Sequence, residues 1–205
     1  MKNASVISRS SLIIDMKVGL FFGSFNPVHT GHMIIANIMV ETTDIEKVWF
    51  VVSPQNPFKK STSLAHEQDR FDMVRAAAYE NYKFHACDIE FSMPKPSYTV
   101  DTLAYLSEKY KEKEFSLILG EDNLFHLENW KNASVILNNY LIYVYPRPNA
   151  KKSGIKERGN IKMVEAPYID ISATFIRKLV KEGKSIQFLV PTPVEAIIRD
   201  RGLFK

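Results

Sequence analysis

Two hydrophobic rhythms alternate along this chain. Short stretches dense in Val, Ile, Leu and Phe occur at 18–22, Lys47–Val52, Phe84–Cys87, 114–119, 141–145 and 161–165. They are too short for helices and are bounded by Gly, Pro or charged residues, so they read as buried strands. Between them, apolar residues recur three and four positions apart. Ile35, Ala36, Met39 and Val40 form one such set, Phe71, Val74 and Ala78 a second, and Val100, Leu103 and Leu106 a third. That spacing lays them on one face of a helix. Helices are predicted over 65–79, over 99–110 with Thr99 as N-cap, and over 173–182 between a Ser172 cap and a Gly183 stop. A final helix carries Val194, Ile197 and Ile198 and runs through Arg201. Alternating strands and helices, with connections long enough for parallel crossovers, predict an α/β fold built on a doubly wound parallel sheet.

The break between the first strand and the first helix is the chemically richest stretch. It reads Gly23-Ser24-Phe25-Asn26-Pro27-Val28-His29-Thr30-Gly31-His32. A strand, a Gly- and Pro-marked turn and a helix start aim backbone N–H groups at an anion, making the turn a candidate phosphate site. His29 and His32 lie three apart at the helix entrance and face one side. Imidazoles there can donate to phosphate oxygens and, when charged, offset charge that builds up in nucleotidyl transfer. A single histidine in such a place more often caps a helix or satisfies a core partner; the pair shifts the balance towards ligand binding. No carboxylate or Cys sits nearby in sequence to complete a zinc shell.

Other strand ends carry further candidates, because open α/β sheets bind ligands at their carboxyl edge. After the second strand comes a Pro-rich basic loop, with Lys59 or Lys60 as a phosphate contact or neither. Gly120-Glu121-Asp122-Asn123 follows the fourth, where Asp122 can accept from ribose hydroxyls, cap a helix, or both. Pro96-Ser97-Tyr98-Thr99 is by composition a good helix start, and Trp130 a partly buried packing residue. Arg177, one turn into the helix capped by Ser172, can fork onto phosphate oxygens as Lys cannot. Arg70 and Arg75, on other faces of their helix, read as solvated or ion-paired. The stretch 146–160, with Arg147, Lys151, Lys152, Lys156 and Arg158, reads as a mobile, solvated surface loop.

Composition narrows the function classes only modestly. With 205 residues, 45% hydrophobic and 24% charged, the chain is ordinary for a globular protein, expected as one domain over 16–205. Residues 1–15 precede the first strand, contain no signal-peptide apolar core, and are expected to be a disordered extension, with Met16 a candidate start. No stretch is long and apolar enough to span a membrane. A net charge of +4 suits an anionic partner, but the basic residues lack the interleaved aromatics that stack exposed bases, so no nucleic-acid partner is expected. Cys87 is the sole cysteine, which excludes an internal disulfide and fits a reducing compartment such as the cytoplasm. Neither a Gly-x-Gly-x-x-Gly after the first strand nor a Walker A motif is present, which argues against a dehydrogenase or P-loop ATPase.

The stretch 23–32 resembles the nucleotidyltransferase signature built around His-x-Gly-His. Ile171-Ser172-Ala173-Thr174-Phe175-Ile176-Arg177 resembles the second superfamily motif. Pro96-Ser97-Tyr98-Thr99-Val100-Asp101-Thr102-Leu103 and Leu119-Gly120-Glu121-Asp122-Asn123, with Trp130 downstream, resemble the nicotinate-nucleotide adenylyltransferases of bacteria. The resemblance implies a Rossmann-like nucleotidyltransferase fold and adenylyl transfer from ATP to nicotinate mononucleotide, with Mg²⁺ held by ATP oxygens and a homo-oligomer conceivable. It further implies that His29, His32 and Arg177 are catalytic, and that ATP binds Gly23, Ser24, Phe25, Gly31, Gly120, Asp122, Ser172 and Thr174. For the acceptor it implies Ser24, Lys59, Trp130, and backbone N–H groups at Tyr98 and Thr99 that receive the nicotinate carboxylate. No protein-held metal is implied. Family members more often carry Asp at Asn26 and Ala at Glu121. The competing readings are an adenylyltransferase for nicotinamide mononucleotide or phosphopantetheine, and a regulator that binds nucleotide or RNA without turnover.

Overall fold

The computed structural model describes residues 16–55, 64–148, 150–151, 153–158 and 160–205. Six strands, β1 Met16–Gly23, β2 Lys47–Val52, β3 Phe84–Cys87, β4 Lys113–Gly120, β5 Ile142–Tyr145 and β6 Ile161–Met163, form one sheet. Their order is β3-β2-β1-β4-β5-β6, and every pairing is parallel. Parallel neighbours need crossovers, and helices supply them: α1 Thr30–Thr42, α2 Glu67–Ala78, α3 Thr99–Lys109, α4 Glu121–Leu124, α5 Ala133–Asn139, α6 Ala173–Lys181 and α7 Thr192–Asp200. The doubly wound sheet of the sequence reading is therefore the fold observed.

Alternation within the strands builds two cores. In β2, Val48, Phe50 and Val52 face one side with α1, α2 and α7, while Trp49 and Val51 face the other with α3 and α5. Both faces are covered, which is why the central strands are apolar at nearly every position. Gly19 in β1 sits in a crowded place: a Cβ there would lie 2.7 Å from Cδ1 of Ile118 and 2.8 Å from that of Ile45.

Several local expectations change. Tyr98, not Thr99, is the N-cap of α3, and its side chain makes no capping bond; Thr99 already has helical geometry. The helix after Gly120, α4, ends after a single turn, and a 3₁₀ turn, Leu127–Asn129, follows. Helix α5 had no counterpart in the sequence reading. Loop 146–160 is not simply a solvated surface strip: Ile155 is buried in the α3 side core, and Lys156 and Arg158 pair with Glu121 and Glu128. Ser172 does cap α6, accepting from the Phe175 amide at 3.2 Å, and Gly183 stops that helix at φ +66.

Candidate active site

The chain reverses its winding direction between β1 and β4, where the loops after the two strands diverge and leave a crevice. A cleft of about 1110 Å³ opens there. Every predicted site residue among those described lines it; Lys59 and Lys60 lie outside the described residues. One wall is the turn after β1 with the start of α1, another the start of α6, and a third the start of α3 with Trp130.

Residues predicted as a pair do form one. His29 is the N-cap of α1 and His32 its third residue, and their rings stack with centroids 3.7 Å apart. The His29 amide donates to Nδ1 of His32 at 3.2 Å, which in the neutral ring leaves the His32 proton on Nε2. His29 is only 6% exposed, and its Nδ1 has no hydrogen-bond partner among the described residues. Burial, reinforced by the nearby Arg147 guanidinium, lowers its pKa to about 4. His29 in the free protein is thus neutral near pH 7. Gly31 is required by crowding: a Cβ would lie 2.9 Å from Cγ2 of Ile169 and 3.1 Å from Nδ1 of His29.

The entrance to α1 offers fewer open donors than its sequence suggests. The Thr30 amide is already bonded to the Leu189 carbonyl at 3.0 Å, and its hydroxyl to that of Phe188 at 2.9 Å. Arg177 is likewise engaged, donating Nη1 to the Asn26 carbonyl at 2.8 Å and Nη2 to the Thr174 hydroxyl at 3.3 Å. It therefore ties the start of α6 to the turn after β1. Asn26, 3% exposed, also accepts the Ala65 amide on Oδ1 at 3.0 Å, which joins the turn after β1 to the approach to α2.

On the third wall, Glu90 is 2% exposed and accepts from the Ser97 and Thr102 hydroxyls at 2.7 and 2.8 Å. It pins the approach to α3, so Tyr98 and Thr99 keep their place on the cleft wall. Lys131 stands 4.6 Å above the Tyr98 ring and pairs with Asp101 at 2.8 Å. Trp130 lines the cleft and also packs on the α3 side core, so its packing and its site placement hold together. Asp122 lies in the first turn after Gly120, 3.9 Å from Nε of Arg147.

Sequence reasoning missed two arginines. Arg147 lines the cleft and donates to the Ile169 carbonyl at 3.1 Å; its position just past β5 was the available signal. Arg70 is not solvated: it is 1% exposed, and among the described residues it is bonded only to backbone carbonyls, with no ion pair. It lies on the Met73, Val74, Ala77 stripe of α2, which was the sign of its burial. Glu121, unexplained from sequence, is the partner of Lys156. Among the described residues no group of three or more His, Cys, Asp or Glu gathers to hold a metal ion, and no helix is long and apolar enough to cross a membrane.

A doubly wound sheet with a histidine pair and two helix starts around its crevice defines a nucleotidyltransferase-like protein, and the cytidylyltransferase-like family model matches residues 20–179. A Cytophaga hutchinsonii protein named "Probable nicotinate-nucleotide adenylyltransferase" is 61% identical over 189 residues, covering 92% of this chain and 98% of that one. A Flavobacterium johnsoniae protein of the same name is 48% identical over 192 residues, covering 93% and 100%. The chain belongs to the nicotinate-nucleotide adenylyltransferase family. In fold it matches the Plasmodium falciparum nicotinic acid mononucleotide adenylyltransferase complexed with NaAD, at TM-score 0.78 and 18% identity, covering 92% of this chain and 97% of that one. The same enzyme complexed with APC matches at TM-score 0.77, with the same identity and coverage.

Proposed function

We propose that this protein transfers the adenylyl group of ATP to nicotinate mononucleotide, forming nicotinate adenine dinucleotide and pyrophosphate for NAD biosynthesis in the cytoplasm. The observation that carries the reading is the convergence in one cleft of the stacked His29–His32 pair, the Arg177-bearing start of α6 and the Tyr98–Thr99 start of α3. The first two provide for a polyphosphate, the third for an anionic acceptor.

The acceptor's 5′-phosphate attacks the ATP α-phosphorus, the bond to the bridging oxygen of the β-phosphate breaks, and pyrophosphate departs with that electron pair. The nucleophile is already ionised near neutral pH, so the protein's work is positioning and charge compensation. His29 and His32 face the α- and β-phosphates. Arg177, with Ser172 and Thr174, faces the leaving pyrophosphate, and Gly23 to Phe25 offer close backbone contact. Gly120 and Asp122 take the adenosine, with Asp122 accepting from ribose hydroxyls. Tyr98 and Thr99 receive the nicotinate carboxylate on backbone N–H groups, and Trp130 stacks on the pyridine ring. The phosphate-facing donors are imidazole, guanidinium and amide, which fit polyphosphate oxygens rather than a cation. Mg²⁺ would therefore arrive on ATP, held by its oxygens and neutralising their charge.

The test is pyrophosphate release from ATP and Mg²⁺ with nicotinate mononucleotide, nicotinamide mononucleotide or phosphopantetheine, the product being identified by mass. A strong preference for the nicotinate acceptor is expected. Turnover only with another acceptor overturns the specificity; ATP binding without turnover overturns the activity.

A further inference from the structure

Arg70 is the largest of the fully buried side chains, and its surroundings are unusual for a charged group. Its guanidinium makes four hydrogen bonds, all to backbone carbonyls: Ser24 at 2.6 Å, Ser53 at 2.8 Å, Pro54 at 2.9 Å and Ala65 at 3.0 Å. Those carbonyls belong to three separate segments: the turn after β1, the turn after β2 and the approach to α2. Burying a guanidinium without a carboxylate is costly, and the cost is tolerable only where several acceptors replace water. An apolar side chain here would leave those four carbonyls without this donor. The fork geometry instead specifies where three carboxyl-edge segments meet.

The bond to Ser24 bears directly on the cleft. In a planar trans peptide the C=O of one residue and the N–H of the next point in opposite directions. Holding the Ser24 carbonyl against Arg70, behind the turn, therefore turns the Phe25 amide the other way, towards the cleft that Ser24 and Phe25 line. Phe25 is in the left-handed region at φ +44 with a ring 2% exposed, a conformation that a non-glycine residue keeps only under local constraint. A left-handed residue within a turn is one way amides come to face an anion-binding concavity.

We propose that Arg70 is a positioning residue that presets the turn after β1, aiming the Phe25 amide at an ATP phosphate. The proposal rests on the reading of this turn as a phosphate site. It acts through Ser24 and never touches the nucleotide. Arg70→Lys keeps the charge but loses the planar fork, so one ammonium must abandon at least one of four carbonyls.

The experiment measures turnover, ATP binding by calorimetry, and melting temperature for wild type and Arg70→Lys. The expected result is a loss of ten-fold or more in ATP affinity and in kcat/KM for ATP. A variant that melts lower but binds ATP as wild type does would make Arg70 a purely structural residue and overturn the proposal. In case the variant fails to fold, the amide resonance of Phe25 is followed in wild type during an ATP titration; a shift at saturation supports the proposal and an unmoved resonance sinks it. Both binding readouts are independent of turnover, so a wild-type chain inactive on every acceptor overturns the functional reading without deciding this one.

Discussion

At the scale of single residues, the free energy of protonating His29 links the site to stability. Its folded pKa of about 4 lies below the unfolded value of 6.5, so below pH 6.5 the unfolded chain binds a proton that the folded chain refuses. Stability is therefore lost as the pH falls through that window, by about 2 to 3 kcal/mol between pH 7 and pH 4.5 from this group. Urea unfolding at the two pH values should show wild type losing more stability than His29→Gln by that amount; equal losses would remove His29 from the balance. A polyphosphate beside the ring works in the opposite direction, favouring the charged imidazole. For His32, whose Nε2 proton is set by the bond at Nδ1, replacement by Ala should lower kcat roughly 10²-fold, the scale of losing one charge-stabilising donor. A folded His32→Ala protein with full activity would exclude the ring from the chemistry.

Element by element, the site depends on how helices start. Ser172 was readable as a cap because Ser, Ala and Thr precede an amphipathic run, and the cap is there; Ser172→Ala should cost about 1 kcal/mol, visible as a lower melting temperature. Tyr98 was not readable as a cap, because its side chain contributes nothing to the capping. What seats the start of α3 is the buried Glu90 with Ser97 and Thr102, seven and twelve residues away in sequence. Local propensity carries no information about such a bond. The same limit explains α4 and α5: a helix of one turn and one of two are decided by packing of Leu124, Ile136 and Leu137, not by periodicity. Loop 146–160 looked solvated because its charges are dense, yet Arg147, Lys156 and Arg158 have partners on the segment from Glu121 to Glu128.

For the whole molecule, the net charge of +4 and the concentration of His and Arg at one cleft predict a shared electrostatic response. ATP and nicotinate mononucleotide are both anions, so raising ionic strength should raise both KM values several-fold while leaving kcat nearly unchanged. Initial rates across a salt series would check this, and a fall confined to kcat would point elsewhere. The sheet itself is sensitive where β1 meets β4: Gly19→Val drives methyl groups into Ile118 and Ile45 and should destabilise by about 1 to 3 kcal/mol, measured by denaturant unfolding.

The amino-acid order by itself determined the alternation of strands and helices, the two-sided apolar sheet, and the candidates at the strand ends, because periodicity, turn chemistry and the His-x-Gly-His spacing are local properties. Only the tertiary structure decided which of those ends meet. It brought Arg177 to the Asn26 carbonyl across 151 residues of sequence, buried Arg70 behind Ser24, stacked a buried His29 on His32, and gave Glu121 its partner in Lys156. Burial and long-range hydrogen bonding set the charge state and orientation of a side chain, and both depend on what the fold places around it.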